Sequence, residues 1–238
     1  MFNTHIRRLL FALLMIALPS QATSIVNGSF ESVGTATASF SINLDGPLPG
    51  WTATPTGNQI LNCLVFSGAT TDICGKTAFG GGLTFWAFPG ASPDGGNYVA
   101  IDGAAAFSTS LTQQLTGLVV GKQYAISFYQ AAAQQKGFTG VNTEQWQVSF
   151  DNVSQLSTLM NNASQGDVGW MYQSLRFTAT ATKQALIFVA KGTPSGQPPF
   201  VLLDGVTITS VPEPGTFVLI GLALVSFPIG RKLWTKRG

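Results

Sequence analysis

Apolar and polar residues alternate along much of the chain, which is typical of β-strands with one face turned to a core. The residues that fall on one face are Tyr124, Ile126 and Phe128 in "QYAISFYQ", Trp146, Val148 and Phe150 in "QWQVSF", and Met171, Leu175 and Phe177 in "WMYQSLRFTATA", where Gln173 is a polar exception. The segments "LTFWAF", "NYVAID", "FSTSLTQQL", "QALIFVA" and "FVLLDGVTIT" add further predicted strands. Because no amphipathic helix interrupts them, the pattern predicts an all-β sandwich of about eight or nine strands.

The first 22 residues have the pattern of a secretory signal peptide. Arg7 and Arg8 precede the apolar run Leu9–Leu18, and Ser20-Gln21-Ala22 supplies small residues at a cleavage site. Cleavage after Ser24 is an alternative. An uncleaved anchor is another, although roughly ten apolar residues are too few to span a bilayer. We therefore predict a signal peptide over 1–22, a folded domain over 25–210 and a separate C-terminal segment over 211–238.

The C-terminal segment contains a second apolar run, Phe217–Gly230, which ends in a basic cluster. As a helix it would be about 21 Å long, whereas the hydrocarbon core of a bilayer is about 30 Å thick. Pro228 weakens the end of such a helix. The basic residues after it would stay on the cytoplasmic side, so that the folded domain lies outside. The pattern predicts a short transmembrane helix, either as an anchor or as a sorting signal.

Charge and cysteine content indicate an exported domain. Residues 25–210 carry six basic and nine acidic side chains, so the basic pI of the whole chain comes from its two ends. No basic patch points to nucleic acid, and a hydrated surface poor in charge suits a glycan-rich extracellular setting. Cys63 and Cys74 are the only cysteines. An oxidising compartment favours a disulfide between them, which thiol labelling of the denatured, unreduced protein would test; two buried free thiols are the alternative.

Several catalytic chemistries are missing from the predicted mature protein. Its sequence has no histidine, because His5 lies within the signal peptide. Ser-His-Asp catalysis, Cys-His catalysis and zinc sites with histidine ligands are therefore excluded. Glycoside hydrolysis needs only paired carboxylates, so a glycan hydrolase stays an alternative to a protein without enzymatic activity.

The closing stretch "VPEPGTFVLIGLAL", followed by the basic cluster, resembles the PEP-CTERM sorting signal of Gram-negative bacteria. The resemblance covers Val211–Arg237 and includes the Val-Pro-Glu-Pro motif, the apolar helix and the basic end. It implies transient membrane insertion, recognition of Pro212, Glu213 and Pro214 by an exosortase, and removal of the segment. It also implies export across the inner membrane to the cell surface or matrix, in association with exopolysaccharide. An ordinary short anchor is the alternative.

The folded domain resembles a galactose-binding-like jelly roll, a group that contains many carbohydrate-binding modules. The resemblance rests on "IVNGSFES", "PLPGWT", "LTGLVVGKQYAISFY" and "FVLLDGVTIT". It implies a structural Ca²⁺ where the first strand meets the last, with Glu31 and Asp204 as carboxylate ligands and carbonyls near Asn27 as further oxygens. The alternative is that Glu31 caps a turn and Asp204 bonds backbone amides.

Aromatic residues outside the inward sets are the candidates for a sugar-binding platform. Flat aromatic rings stack on the apolar faces of sugars, but they also fill cores, so the phase of each residue along its strand decides. Tyr129 and Tyr172 are out of phase with their inward neighbours, and Trp86 lies between other aromatics. The predicted platform is Trp86, Tyr129 and Tyr172, with Gln130, Gln145 and Gln173 as hydroxyl partners. Burial of these rings under loops or a second sheet is the alternative.

Three functions remain open at this point. The first is an exported module that binds extracellular polysaccharide in an exopolysaccharide or biofilm matrix. The second is a structural matrix or surface protein without a small-ligand site, and the third is a glycan hydrolase. The sequence names no particular sugar.

Overall fold

The structure is a computed structural model that describes residues 23–32, 48–57, 62–65, 72–76 and 82–212. Of residues 62–65, 72–76 and 82–83 it describes the backbone alone. The described residues form thirteen strands: β1 (Thr52–Pro55), β2 (Asn62–Val65), β3 (Asp72–Lys76), β4 (Gly82–Thr84), β5 (Tyr98–Asp102), β6 (Thr109–Thr116), β7 (Gln123–Gln134), β8 (Asn142–Phe150), β9 (Val153–Leu156), β10 (Met160–Asn162), β11 (Asp167–Thr178), β12 (Lys183–Thr193) and β13 (Pro199–Ser210).

Most strands belong to two antiparallel sheets. The first, sheet A, has the order β1-β6-β12-β8-β10, with β9 also paired to β8. The second, sheet B, has the order β11-β7-β13-β5-β2, and β3 pairs with β4 alone. The predicted all-β jelly-roll sandwich is confirmed. The strand number exceeds the prediction because β2, β3, β4, β9 and β10 have only three to five residues each, too few to produce a clear alternation.

The main core fills the space between the sheets. The inward residues predicted on β7 and β8 are buried, and Phe177 of β11 joins them while Met171 and Leu175 pack against the same cluster. Phe188, at the centre of sheet A, contacts three aromatic rings, with centroid distances of 6.2 Å to Trp51, 5.2 Å to Phe128 and 6.0 Å to Trp146. The alternation in the sequence therefore identified the core face correctly.

Sheet B has a second apolar cluster on its outer face. Ala131 and Ala133 of β7 alternate with the core residues and belong to this outer cluster, together with Phe200 and Leu202 of β13. Residues 85–97 cover this end of the sheet: the Trp86 amide donates to the carbonyl of Gln134 at 3.0 Å. Covering on both faces explains why every residue of β5 is buried. The other end of the same outer face, near the middle of β11, is open to solvent.

Two predicted strands have a different structure. The segment "IVNGSFES" forms a turn, in which Asn27 and Phe30 have φ angles of 52° and 53°. The Phe30 amide donates to the Asn27 carbonyl at 3.3 Å, and the Val206 amide donates to the Gly28 carbonyl at 3.0 Å. This segment thus docks on β13 through its turn. In "LTFWAF" the strand ends at Thr84, because Trp86 and its neighbours turn to cover sheet B.

The ends and the cysteine side chains fall outside this description. The predicted signal peptide and most of the C-terminal segment, including Glu213 and Pro214, lie outside the described residues; Pro212 is the last residue within them and is exposed. The side chains of Cys63 and Cys74 are also outside them, so the disulfide stays a prediction. Within the described part, the chain contains no helix with the length and hydropathy needed to cross a membrane.

Candidate functional site

Two of the predicted aromatic residues lie side by side on the open part of the outer face of sheet B. Tyr129 of β7 and Tyr172 of β11 are directly opposite in the antiparallel register. Their rings meet edge to face, with centroids 5.5 Å apart and an interplanar angle of 64°. Tyr172 is 61% exposed, whereas Tyr129 is half-buried. The pair therefore presents an aromatic surface to solvent while one ring supports the other.

Hydroxyl groups continue this surface along the same two strands. Ser127 and Ser174 are the next outward pair in the register, and their hydroxyls are hydrogen-bonded at 3.1 Å. Thr207 of β13 lies opposite Ser127 on the other side of β7 and is exposed. We call Tyr129, Tyr172, Ser127, Ser174 and Thr207 the tyrosine patch. It combines flat rings with donors and acceptors, which is the composition that a sugar ring requires.

A bulge in β13 brings acidic residues to the edge of the tyrosine patch. The register shifts between Asp204 and Thr207, and Gly205 has a φ of +59°. A Cβ at Gly205 would lie 3.0 Å from the Tyr129 ring and 3.1 Å from Asp94 Cβ. Glycine here therefore lets the backbone, the Tyr129 ring and the Asp94 side chain approach closely.

Asp204 is buried behind this bulge. Its Oδ1 accepts a hydrogen bond from the Gly205 amide at 2.7 Å, whereas its Oδ2 is buried without a hydrogen-bond partner. Burial raises the pKa of Asp204 to about 7, and the charges of Asp94 and Glu31 raise it further, although hydrogen bonds from Ser92 and Gly205 oppose the shift. A cation beside Oδ2 would favour the ionised carboxylate.

Glu31, the other predicted calcium ligand, is exposed and contacts the loop before β5. Its Oε1 accepts a hydrogen bond from the Asn97 amide at 2.6 Å. The Asn27 carbonyl, predicted as a further ligand, already accepts from Phe30 and from the Trp51 indole, the latter at 2.9 Å. Among the described residues, no group of three or more His, Cys, Asp or Glu side chains is placed to hold a metal ion. Calcium at Asp204 therefore needs carbonyl or solvent oxygens as well as the two carboxylates.

The remaining predicted ligand residues lie elsewhere. Gln130 and Gln173 are buried and hold Thr158: Gln130 donates to its carbonyl at 2.8 Å, and Gln173 accepts from its amide at 3.0 Å. They face the core side of sheet B, opposite the tyrosine patch. Gln145 lies on β8 of sheet A, where it lines a groove with Lys191. None of the three can act as a hydroxyl partner for the patch in this arrangement.

Trp86 is separated from the two tyrosines. It lies on the covering segment next to Gln134, five residues from Tyr129 along β7, which corresponds to about 17 Å of strand. The Trp86 indole donates to the Phe138 carbonyl at 2.6 Å, and Lys136 Nζ lies 5.8 Å from the ring centroid. Trp86 therefore belongs to a different part of the surface.

A groove of about 890 Å³ lies along β1 and β6 of sheet A. Its lining is mainly threonine and glutamine, and its aromatic residue, Trp51, is only 6% exposed. The tyrosine patch lies outside this groove. Sugar recognition depends on exposed ring surfaces more than on volume, so we take the tyrosine patch as the candidate site.

Some members of this site were not predicted from the sequence. Ser127, Ser174 and Thr207 are polar residues at outward positions, like many others in the chain, and Asp94 lies in a loop. The sequence signal for Ser127 and Ser174 was their spacing: each lies two residues from a tyrosine on the same strand and therefore on the same face. Asp94 approaches them only through the bulge at Gly205.

Comparisons with known proteins give structural similarities of low degree. No protein-family model and no curated protein match the chain. It is similar to TmCBM61 in complex with β-1,4-galactotriose, with 12% identity, a TM-score of 0.40, and coverage of 78% of this chain and 96% of that one. It is also similar to the CBM22-1 xylan-binding domain from Paenibacillus barcinonensis Xyn10C, with 15% identity, a TM-score of 0.39, and coverage of 80% of this chain and 94% of that one.

A further similarity is to the enzymatically active domain of tailspike protein 4 from bacteriophage CBA120. The identity is 12% and the TM-score 0.40, over 79% of this chain. The chain spans only 21% of the tailspike chain's length. Similarities of this size identify neither a family nor a ligand, so the function has to be argued from the site itself.

Proposed function

We propose that the protein binds extracellular carbohydrate through the tyrosine patch and has no enzymatic activity. The observation that carries this proposal is the edge-to-face pair of Tyr129 and Tyr172, with Tyr172 61% exposed on a sheet face. An exposed ring that another ring holds in place offers an apolar surface at a low cost in side-chain entropy. The adjacent hydroxyls of Ser174 and Thr207 are suited to bond sugar hydroxyls.

The proposal includes a Ca²⁺ beside the patch, held by Asp204 and Glu31. The buried Oδ2 of Asp204 has no hydrogen-bond partner, and an ionised carboxylate oxygen is a preferred calcium ligand. The ion would favour the charged form of Asp204 and hold the bulge that positions Gly205 against Tyr129. Calcium titration of the Asp204→Asn variant, described in the next subsection, tests this part.

The proposal also includes export and processing. The PEP-CTERM-like motif at Pro212, Glu213 and Pro214 directly follows β13, so a cut there would leave the sandwich complete. An exosortase would then release the domain from the membrane into the exopolysaccharide or biofilm matrix of a Gram-negative cell.

Protein isolated from the native host is expected to lack residues 1–22 and the segment beyond about Pro214. Intact-mass measurement checks both ends at once. A retained Arg231–Gly238 end would contradict removal of the segment and leave a membrane anchor in its place.

Replacing Tyr172 with alanine is expected to weaken retention in a polysaccharide affinity gel by about tenfold, or about 1.4 kcal/mol. The loss of the exposed ring removes the stacking surface and the contact with Tyr129 but no core contact, so the melting temperature should fall by only a few degrees. The measurement is the dissociation constant from gel mobility, over a broad panel of soluble polysaccharides.

The matched control is Phe138→Ala, which removes an aromatic side chain that is 38% exposed and distant from the patch. It should bind as the wild type does. Equal binding by Tyr172→Ala and the wild type would move the site elsewhere. No retention of the wild type by any polysaccharide would favour a structural matrix protein, and release of reducing sugar would reveal a hydrolase.

A further inference from the structure

Three buried polar side chains meet where β10 pairs with β8. Asn142 and Asn162 are directly opposite in the register, and Glu144 is the next residue on the same face of β8. This face is the core side of sheet A, because Trp146 follows in the same phase. Exposure is 2% for Asn142, 0% for Glu144 and 2% for Asn162. The apolar core thus ends in a compact polar cluster.

None of the six polar atoms in these side chains makes a hydrogen bond of good geometry among the described residues, although the Asn162 side chain lies near Glu144. They are both oxygens of Glu144 and both amide atoms of Asn142 and Asn162. A buried polar group without a partner costs about 1–3 kcal/mol, so three unpartnered side chains together indicate that something else satisfies them. An apolar ligand could not form hydrogen bonds or ionic contacts with these groups.

The charge and access of the cluster favour a cation. Glu144 is the ionisable side chain among the three and is fully buried, and a bound cation would offset the cost of burying its charge. Asn142 and Asn162 also line a surface groove of about 570 Å³, with Thr193 and Pro194 on its other side. An ion could reach the cluster through this groove.

The donor set fits calcium better than other common cations. Carboxylate and Asn carbonyl oxygens are hard ligands, and Ca²⁺ accepts them in flexible geometry, with water for the rest of its six to eight positions. Mg²⁺ demands a stricter octahedron and loses its water reluctantly. Nitrogen and sulfur ligands, which transition metals prefer, are absent from these three side chains.

We propose that Asn142, Glu144 and Asn162 form a buried Ca²⁺ site that fixes β10 to β8. The bound ion would also hold the turn that begins at Ala163. Gly166 in this turn lies so close to Asn162 that a Cβ at position 166 would be 2.9 Å from Asn162 Oδ1. This site is distinct from the one proposed at Asp204 and does not depend on carbohydrate binding.

Calcium titration of the purified, metal-free protein by isothermal calorimetry tests the proposal. Glu144→Gln keeps the shape of the side chain and removes its charge, and it should bind one Ca²⁺ fewer than the wild type. Calcium should also raise the melting temperature of this variant by less than it raises that of the wild type. Asp204→Asn is the matched control, because it should keep the Glu144 site while losing the ion proposed beside the tyrosine patch.

The experiment can reject either of the two proposed calcium sites without rejecting the other. Stoichiometry unchanged in Glu144→Gln, or no calcium binding by the wild type, would overturn the buried site. Stoichiometry unchanged in Asp204→Asn would reject calcium beside the patch and leave the buried site standing.

A second variant covers the case in which Glu144→Gln does not fold. Asn142→Asp adds a carboxylate of the same shape, so it should raise calcium affinity at this site by about tenfold if the ion is present. Without an ion, the new carboxylate would face the Glu144 carboxylate in a buried place and only repel it. A melting temperature below that of the wild type at saturating calcium, with no gain in affinity, would therefore contradict the proposal.

Discussion

Replacing Phe188 with alanine is expected to lower the free energy of unfolding by about 3–5 kcal/mol, the usual cost of removing a buried aromatic side chain. Phe188 is fully buried on β12, between β6 and β8 in sheet A. Its ring contacts Trp51, Phe128 and Trp146, which come from a loop and from both sheets. Several flat rings around one cavity cannot easily collapse into it, so the cost should lie in the upper part of this range.

Urea unfolding followed by tryptophan fluorescence measures this loss. Phe138→Ala serves again as control, since a partly exposed side chain outside the two clusters should cost much less. A loss below about 1 kcal/mol for Phe188→Ala would mean that the aromatic cluster repacks without its central ring.

Replacing Asp102 with asparagine is expected to stabilise the protein at high pH and to have little effect at low pH. Asp102 is fully buried; its Oδ1 accepts a hydrogen bond from the Ala104 amide at 2.8 Å, and its Oδ2 has no partner. Burial raises its pKa from the ordinary 3.8 to about 7, although the Ala104 bond opposes the shift. The folded state therefore binds the Asp102 proton more tightly than the unfolded state does.

The sign of the pH effect follows from this difference. The favourable contribution of Asp102 is complete below about pH 4 and is lost as the pH rises through about 7. A shift of about three pH units corresponds to about 4 kcal/mol at most. Asparagine keeps an oxygen for the Ala104 amide and carries no charge. The free energy of unfolding of Asp102→Asn minus that of the wild type should therefore be higher at pH 8 than at pH 4, by up to that amount.

Urea unfolding of both proteins at pH 4, 6 and 8 gives the required differences. Glu144 and Asp204 also have raised pKa values, but they are present in both proteins and cancel in the comparison. Asp167→Asn, which makes the same substitution at the exposed start of β11, is the control. A stability difference between Asp102→Asn and the wild type that is the same at all three pH values would contradict the prediction.

The alternation in the sequence predicted the core well because a half-buried strand has a strict period of two. It placed Tyr124, Ile126 and Phe128 inward and Tyr129 outward, and the structure agrees. Gln130 also follows this rule, since it is in phase with the core and fully buried; its selection as a hydroxyl partner relied on its polarity and not on its phase. Its amide bonds the Thr158 carbonyl, and a partner 28 residues away is invisible to a local pattern.

The candidate site was predictable only in part, for a related reason. Phase alone directed both tyrosines to the outer face, but it could not reveal that they are opposite each other in the register. It also could not reveal that residues 85–97 cover one end of that face, which separates Trp86 from the pair. Contacts between distant strands depend on the order of strands in the sheet, and no short segment of sequence contains that information.

The partial covering of sheet B has a consequence for the substitutions that β7 can accept. Under the cover, the outward positions of β7 are Ala131 and Ala133, which are fully buried, so that larger side chains there would collide with the covering segment. Beyond the cover, the outward residues Ala125 and Tyr129 are partly exposed, whereas Ser127 is only 7% exposed. Substitutions at the partly exposed positions Ala125 and Tyr129 would therefore alter the surface that we propose binds carbohydrate, whereas larger side chains at Ala131 and Ala133 would disturb the packing under the cover.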